Sequence, residues 1–110
     1  MRVTIEHMTV EPLPGITDEV VELVCDLIRI DTSNYGDDSG PGEALAAEYI
    51  EGKLREVGID AERYQTTGAK RQGVNARIAG SDPSRPALLI HSHIDVVPDR
   101  KSTRLNSSHT

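Results

Sequence analysis

Two histidines and an aspartate, His91, His93 and Asp95, occupy alternate positions directly after the short apolar run at residues 87–90. In an extended segment, side chains at alternate positions point to the same side, so all three could face one pocket. Neutral imidazole and carboxylate groups are good zinc ligands, and a metal-bound histidine normally donates its second ring N–H to a carboxylate or carbonyl group. These residues therefore predict a metal site.

This spacing suggests three metal-binding arrangements and one interpretation without a metal. In the first, His93 alone binds the metal and Asp95 orients its ring. In the second, His91 and His93 bind one zinc ion as a pair, as in the amidohydrolase barrels. The third, the HxHxDH pattern of metallo-β-lactamase-like hydrolases, lacks a required ligand because Val96 follows the aspartate. Without a metal, both histidines are ordinary polar residues at the end of a strand.

The elements that would position this stretch begin with two helices. Apolar residues recur at helical spacing over 17–30, where Thr17 can act as the N-cap and acidic residues follow it. A second helix is predicted to begin around residues 39–43 and to end at Gly58. The turn formers and acids of DTSNYGDDSG, residues 31–40, predict a surface loop between the two helices.

Three strands are predicted after the second helix. Residues 59–66 and 73–80 alternate weakly, and the run ALLIH at 87–91 is continuously apolar, which predicts a strand buried on both faces. Ligands of open α/β sheets bind beyond the carboxyl ends of strands, where this last strand would place the histidines. Residues 1–16 show no sustained period and are interpreted as a leader.

Composition narrows the class of protein. The net charge of −6 argues against nucleic acid or an anionic membrane surface as the partner. With 36% hydrophobic residues and neither Trp nor Phe, the core must be built from aliphatic side chains and is thin. Cys25 is the single cysteine, so no disulfide framework exists, and no signal peptide or membrane span is recognisable. We therefore expect a cytoplasmic protein.

The residues around the histidines resemble a known signature. LLIHSHIDVVP, residues 88–98, is similar to the metal-binding motif of the zinc aminoacylase and carboxypeptidase superfamily, metallopeptidase family 20, which includes enzymes of the acetylornithine deacetylase and succinyl-diaminopimelate desuccinylase type. The likeness extends upstream through LIRIDTSN and GPGEALAAEYIEGKLREVGID, and covers roughly residues 17–98.

The resemblance implies a fold, an activity and site residues. The fold would be the N-terminal part of an α/β/α catalytic domain, with two helices followed by the strands of a mixed sheet. His93 would ligate one of two zinc ions, with cobalt or manganese as alternatives, and Asp95 would be the catalytic-site residue that orients its imidazole. His91 looks like a variable position. The activity implied is hydrolysis of an amide or peptide bond in a small-molecule or peptide substrate, with a homodimer as one option for the parent protein.

The resemblance stops after Pro98. Residues 99–110 are polar, lack any period and are expected to form a disordered, non-native tail, in which His109 is not expected to bind metal. A catalytic zinc site needs about three protein ligands, and the bridging carboxylate, general base and further ligands implied by the family are absent from the chain. We therefore expect an N-terminal fragment of a longer hydrolase that is inactive alone. A small binding module is the alternative outside the enzymes.

Overall fold

The computed structural model describes the backbone of residues 3–5 and 8–10, and the backbone and side chains of residues 13–98. The chain divides after Ile30 into two compact units. The predictions made for residues 99–110, including His109, lie outside the described residues. Two helices stand between two short antiparallel hairpins in the order of the chain, so the predicted class is confirmed at the level of a small α/β arrangement.

The first unit contains a hairpin and one helix. Strands β1, Val3–Ile5, and β2, Met8–Val10, pair in antiparallel register, with Val3 opposite Val10. The sequence of the leader did not predict this hairpin, because strands of three residues are too short to display an alternating pattern. Helix α1 follows as Ile16–Ile28.

Helix α1 begins one residue before the predicted start. Gly15 is its N-cap and no side chain makes a capping hydrogen bond, so the prediction that Thr17 caps the helix is wrong. Asp18 and Glu19 lie in the first turn, as predicted, where negative charge is favoured by the helix dipole. No residue of α1 is buried within the described part of the chain, so its apolar side chains remain accessible to water.

The second unit is built on one helix and one hairpin. Helix α2, Ala44–Glu56, packs against strands β3, Ala61–Gln65, and β4, Gln72–Ala76, which pair in antiparallel register. The buried apolar side chains are small: Ala46, Ala47 and Ala61 are at most 2% exposed. Small residues let the helix approach the sheet closely, and this layer confirms the first two predicted strands and the second helix.

The amino end of α2 is held by backbone from the β3–β4 turn. The amides of Glu43 and Ala44 both donate to the carbonyl oxygen of Lys70, at 2.8 and 3.2 Å. Gly42 precedes them with a φ of +79°, and a Cβ there would collide with the Lys70 backbone. The Lys70 ammonium in turn donates to the Gly40 carbonyl, 2.7 Å away. The loop before α2 is therefore fastened to the hairpin from both sides.

Helix α2 is terminated at its carboxyl end by Gly58, as predicted. Gly58 has a φ of +78°, and its amide donates to the Arg55 carbonyl at 3.0 Å. The next amide, that of Ile59, reaches back to the Leu54 carbonyl at 3.0 Å. These two bonds form a Schellman motif, which satisfies helix carbonyls that would otherwise lack partners.

The third predicted strand is not observed. Residues 87–91 adopt no regular element, and Leu88, Leu89 and Ile90 are 85%, 81% and 84% exposed. The prediction of a strand buried on both faces is therefore wrong for the described residues. A continuous apolar run favours extended backbone, but a strand exists only where another strand supplies its hydrogen bonds, and within the described residues none pairs with this run.

Among the residues that the structure describes, none of the helices combines the length and apolar character needed to cross a lipid bilayer.

Candidate functional site

The segment that carries the histidines is held by the loop between the helices. Asn34 donates its backbone amide to the Val96 carbonyl at 2.9 Å, and the Val96 amide donates to the Thr32 carbonyl at 3.1 Å. Ser33 and Val96 thereby form an isolated parallel bridge. Thr32 is buried, with 4% of its surface exposed. Backbone pairing with residues 32–34 of the loop, and not a strand at residues 87–91, therefore positions the segment that carries His93 and Asp95.

Within this segment the structure brings His93 and Asp95 together. The His93 Nδ1 atom lies 3.0 Å from the carboxylate Oδ1 of Asp95 and 2.8 Å from the backbone carbonyl oxygen of the same residue. The His93 side chain is 82% exposed, whereas that of Asp95 is 29% exposed. The aspartate is thus the anchored member of the pair, and the imidazole extends from it towards solvent.

The two acceptors around Nδ1 determine which ring nitrogen carries the hydrogen in neutral His93. A carbonyl oxygen and an ionised carboxylate can only accept hydrogen bonds, so Nδ1 has to be the donor. A neutral imidazole has one donor and one acceptor nitrogen, so its Nε2 then keeps a free lone pair. Within the described residues no hydrogen-bond donor or acceptor contacts Nε2. This is the form of histidine that ligates a metal ion through Nε2.

Asn34 holds the other oxygen of Asp95. Its side-chain amide donates from Nδ2 to Asp95 Oδ2 at 2.7 Å, and its Oδ1 accepts the backbone amide of Gly36 at 2.9 Å. Because one end of the side chain accepts and the other donates, the orientation of the amide is determined. Sequence reasoning did not assign Asn34 to the site. The signal that could have found it is its place in the loop at residues 31–40, where a polar side chain follows the first helix.

These contacts move the pKa values of the pair in opposite directions. The pKa of His93 is raised above its ordinary 6.5, first by the hydrogen bond to the Asp95 carbonyl, then by the bond to its carboxylate and by that group's charge. The pKa of Asp95 is lowered below its ordinary 3.8, first by the hydrogen bond from Asn34 and then by His93. Each partner thus favours the charged form of the other.

His91 takes no part in the hydrogen bonds between His93 and Asp95, and it is exposed. Over residues 13–98, no group of three or more His, Cys, Asp or Glu side chains is arranged to hold a metal ion. The described residues therefore fit one imidazole of a metal site together with its orienting carboxylate, but they do not form a complete metal-binding site.

An open pocket adjoins this pair. It has a volume of about 380 Å³ and is lined by His93 and Asp95 together with residues of the helix–hairpin layer, among them Glu43, Tyr64 and Arg71. Glu43 is 6% exposed, and its Oε2 atom accepts a hydrogen bond from Arg71 Nε at 3.0 Å. The acid and the guanidinium pair with one another. The rest of the lining combines hydroxyl and amide groups with the aliphatic side chains of Ile50, Val74 and Ile94, and the pocket has room for a small molecule.

Comparison with known proteins adds no relative: no family model, no curated protein and no solved structure matches this chain. The geometry of His93 and Asp95 and the sequence around them are therefore the basis for proposing a function.

Proposed function

We propose that this chain supplies the N-terminal portion of a zinc-dependent hydrolase of amide or peptide bonds, with His93 as a metal ligand. One observation carries the proposal. Asp95 places two hydrogen-bond acceptors at His93 Nδ1, which leaves the Nε2 lone pair free on an exposed ring. A carboxylate that orients a ligand imidazole from behind is the usual partner of histidine in zinc sites.

The proposal requires further ligands. A catalytic zinc ion takes about three protein ligands and keeps one position open, and the described residues offer a single well-oriented imidazole. The remaining ligands and the general base would have to come from outside residues 13–98. When bound, zinc lowers the pKa of a water molecule and polarises a carbonyl group. His93 and Asp95 contribute the ligand and its orientation, and the adjoining pocket would accept the substrate.

The proposed substrate class follows from the proposed chemistry, and the open pocket beside His93 is compatible with a small molecule. A volume of about 380 Å³ is at the lower end of the range of roughly 300–1,000 Å³ found for small-molecule sites. An N-acyl amino acid and a dipeptide are substrates that a zinc amidase, deacylase or peptidase would hydrolyse. Zinc is the proposed metal, with cobalt and manganese as the alternatives.

Zinc titration of the ¹⁵N-labelled chain tests the ligand assignment. We expect the Nε2 resonance of His93 to shift on addition of zinc, because this atom carries the free lone pair. His93→Ala should abolish the specific response, whereas His91→Ala should leave it in place. Even weak binding by one imidazole is visible in this measurement.

The other outcomes of the titration are equally informative. Equal loss in both variants would replace the proposal by a paired His91–His93 site of the amidohydrolase kind. No response of either histidine would contradict a metal site and favour a binding module. For the activity itself, zinc-dependent release of an amino acid from an N-acyl amino acid by the 110-residue chain alone would contradict the view that further ligands are required.

A further inference from the structure

We propose that Asn34 is a positioning residue of this site: its side-chain amide holds the Asp95 carboxylate in the orientation that fixes the ring of His93. The inference concerns a residue to which the proposed function assigns no role. Its consequence for zinc rests on that proposed function, whereas its effect on Asp95 and on the His93 ring does not.

The two carboxylate oxygens of Asp95 have different hydrogen-bond partners. Oδ1 faces His93 Nδ1 at 3.0 Å, and Oδ2 faces Asn34 Nδ2 at 2.7 Å. A carboxylate held at one oxygen can still rotate about its χ angles, but hydrogen bonds to both oxygens define its plane. Asp95 Oδ1 is therefore directed at the imidazole because Asn34 occupies Oδ2.

Asn34 is itself held by three hydrogen bonds. Its backbone amide donates to the Val96 carbonyl at 2.9 Å, its Oδ1 accepts from the Gly36 amide at 2.9 Å, and its Nδ2 donates to Asp95. The side chain is half-buried, so water competes only partly for these bonds. The hydrogen bond from Asn34 Nδ2 to Asp95 Oδ2 spans 61 positions of sequence and joins the loop after α1 to the segment that carries His93.

Asparagine is the residue type required at position 34. Aspartate at position 34 would keep the shape and the acceptor for Gly36, but it would replace the donor to Asp95 by a second carboxylate oxygen. Two carboxylates at this distance repel each other. Alanine would remove both bonds, and glutamine would displace its amide by one methylene group. Donor and acceptor are both present at the required distance only in asparagine.

The test is the tautomer of His93 in the metal-free full chain, read from long-range ¹H–¹⁵N correlations at alkaline pH. In the wild type we expect one tautomer, with hydrogen on Nδ1. In Asn34→Asp and Asn34→Ala the Asp95 carbonyl still accepts from Nδ1, so we expect a partial change: a mixture in which the form with hydrogen on Nε2 becomes detectable. Asn34→Asp keeps the Gly36 hydrogen bond, so a change in this variant is not explained by loss of the turn.

Asp82→Ala is the matched control. Asp82 Oδ1 accepts the amide of Ser84 at 3.0 Å in the same i to i+2 pattern, away from the site, and its loss should leave the His93 tautomer unchanged. Retention of the wild-type tautomer in Asn34→Asp would overturn the proposal. Amide proton shifts of α2 and the β3–β4 hairpin, unchanged from the wild type, identify variants that remain folded.

Failure of this inference is distinguishable from failure of the proposed function. If His93 shows no response to zinc but its tautomer changes in Asn34→Asp, the zinc proposal fails and the positioning role stands. If His93 binds zinc and the tautomer and affinity are unaltered in Asn34→Asp, the positioning role fails alone. We expect zinc affinity in Asn34→Asp to fall about tenfold or more, within the roughly 10–100-fold cost of losing outer-shell partners.

Discussion

A histidine ring offers the same two nitrogens wherever it lies, and its surroundings decide which of them is available. His91 and His93 are both exposed and lie two positions apart, yet only His93 is joined to the Asp95 carboxylate. The side chain of Asp95 is in turn oriented by Asn34. At the scale of single residues, the difference between the two histidines is therefore made by hydrogen-bond partners.

The titration of His93 is the first prediction. Its pKa should lie above the ordinary 6.5, and Asp95→Asn should lower it, because the substitution removes the negative charge beside Nδ1. The measurement is an NMR titration of the ring resonances, assigned with His93→Ala. Asp82→Asn removes a carboxylate elsewhere and should leave the His93 pKa unchanged. A His93 pKa that is the same in wild type and Asp95→Asn would contradict the prediction.

The pair also links stability to pH. Since the pKa of His93 is raised, its stabilising contribution is complete below 6.5 and is lost as the pH rises through the folded-state pKa. Since the pKa of Asp95 is lowered, its contribution is complete above 3.8 and is lost as the pH falls through the folded-state pKa. The contact between the two side chains should be most persistent between these two ordinary pKa values.

At the scale of elements, helix α2 is defined at both ends by backbone. Its first amides bond to Lys70 and its last carbonyls to Gly58 and Ile59. The carboxyl end was readable from the sequence because a glycine after a helical stripe is a local signal. The amino end was not, because the capping group is a main-chain carbonyl from a distant turn, which has no residue type to recognise.

Two glycine substitutions should have opposite effects on α2. Gly58→Ala should lower the free energy of unfolding by about 1–2 kcal/mol, because alanine is strained at a φ of +78°. Gly52 lies inside the helix, and a Cβ at this position would meet open space. Gly52→Ala should therefore raise the free energy of unfolding by about 0.5–1 kcal/mol. All three tyrosines lie in the second unit, so tyrosine fluorescence in urea reports its unfolding. A stabilising Gly58→Ala would contradict the assigned helix end.

The contact between α2 and the hairpin gives a third prediction. Ala47 is 0% exposed, so Ala47→Leu should destabilise the second unit by about 1–3 kcal/mol through overpacking. The neighbouring Leu45 is 69% exposed, and Leu45→Ala should change the free energy of unfolding by no more than about 0.5 kcal/mol. The same urea denaturation measures both. Equal effects would mean that the side of α2 facing the sheet has been assigned wrongly.

At the scale of the whole molecule, the buried core is small and apolar surface is extensive. Within residues 13–98, several large apolar side chains of α1 and those of residues 88–90 are exposed, while the buried apolar residues are alanines. A contiguous exposed apolar run favours association, because burying it removes apolar surface from water. We therefore expect the chain to self-associate through residues 88–90.

Sedimentation velocity tests this expectation. Leu89→Glu introduces a charge into the run and should reduce the associated fraction at a given protein concentration. Leu45→Glu is the control, since it replaces another exposed leucine, 69% against 81% for Leu89, and changes the net charge equally. Equal reductions in both variants would attribute the effect to net charge and would exclude the run as the contact.

The sequence by itself determined the features that depend on neighbours along the chain. The apolar stripes of both helices, the helix end at Gly58 and the strands β3 and β4 were readable, because they follow from local periodicity. Spacing marked His91, His93 and Asp95 as candidate residues, whereas the choice of His93 with Asp95 came from the resemblance of the surrounding residues to a family signature. The tertiary structure alone decided the features that depend on distant groups. Lys70 caps α2, residues 87–91 lack a strand partner within the described residues, and Asn34 reaches Asp95 across the fold, because hydrogen-bond partners far apart in sequence meet only when the chain folds.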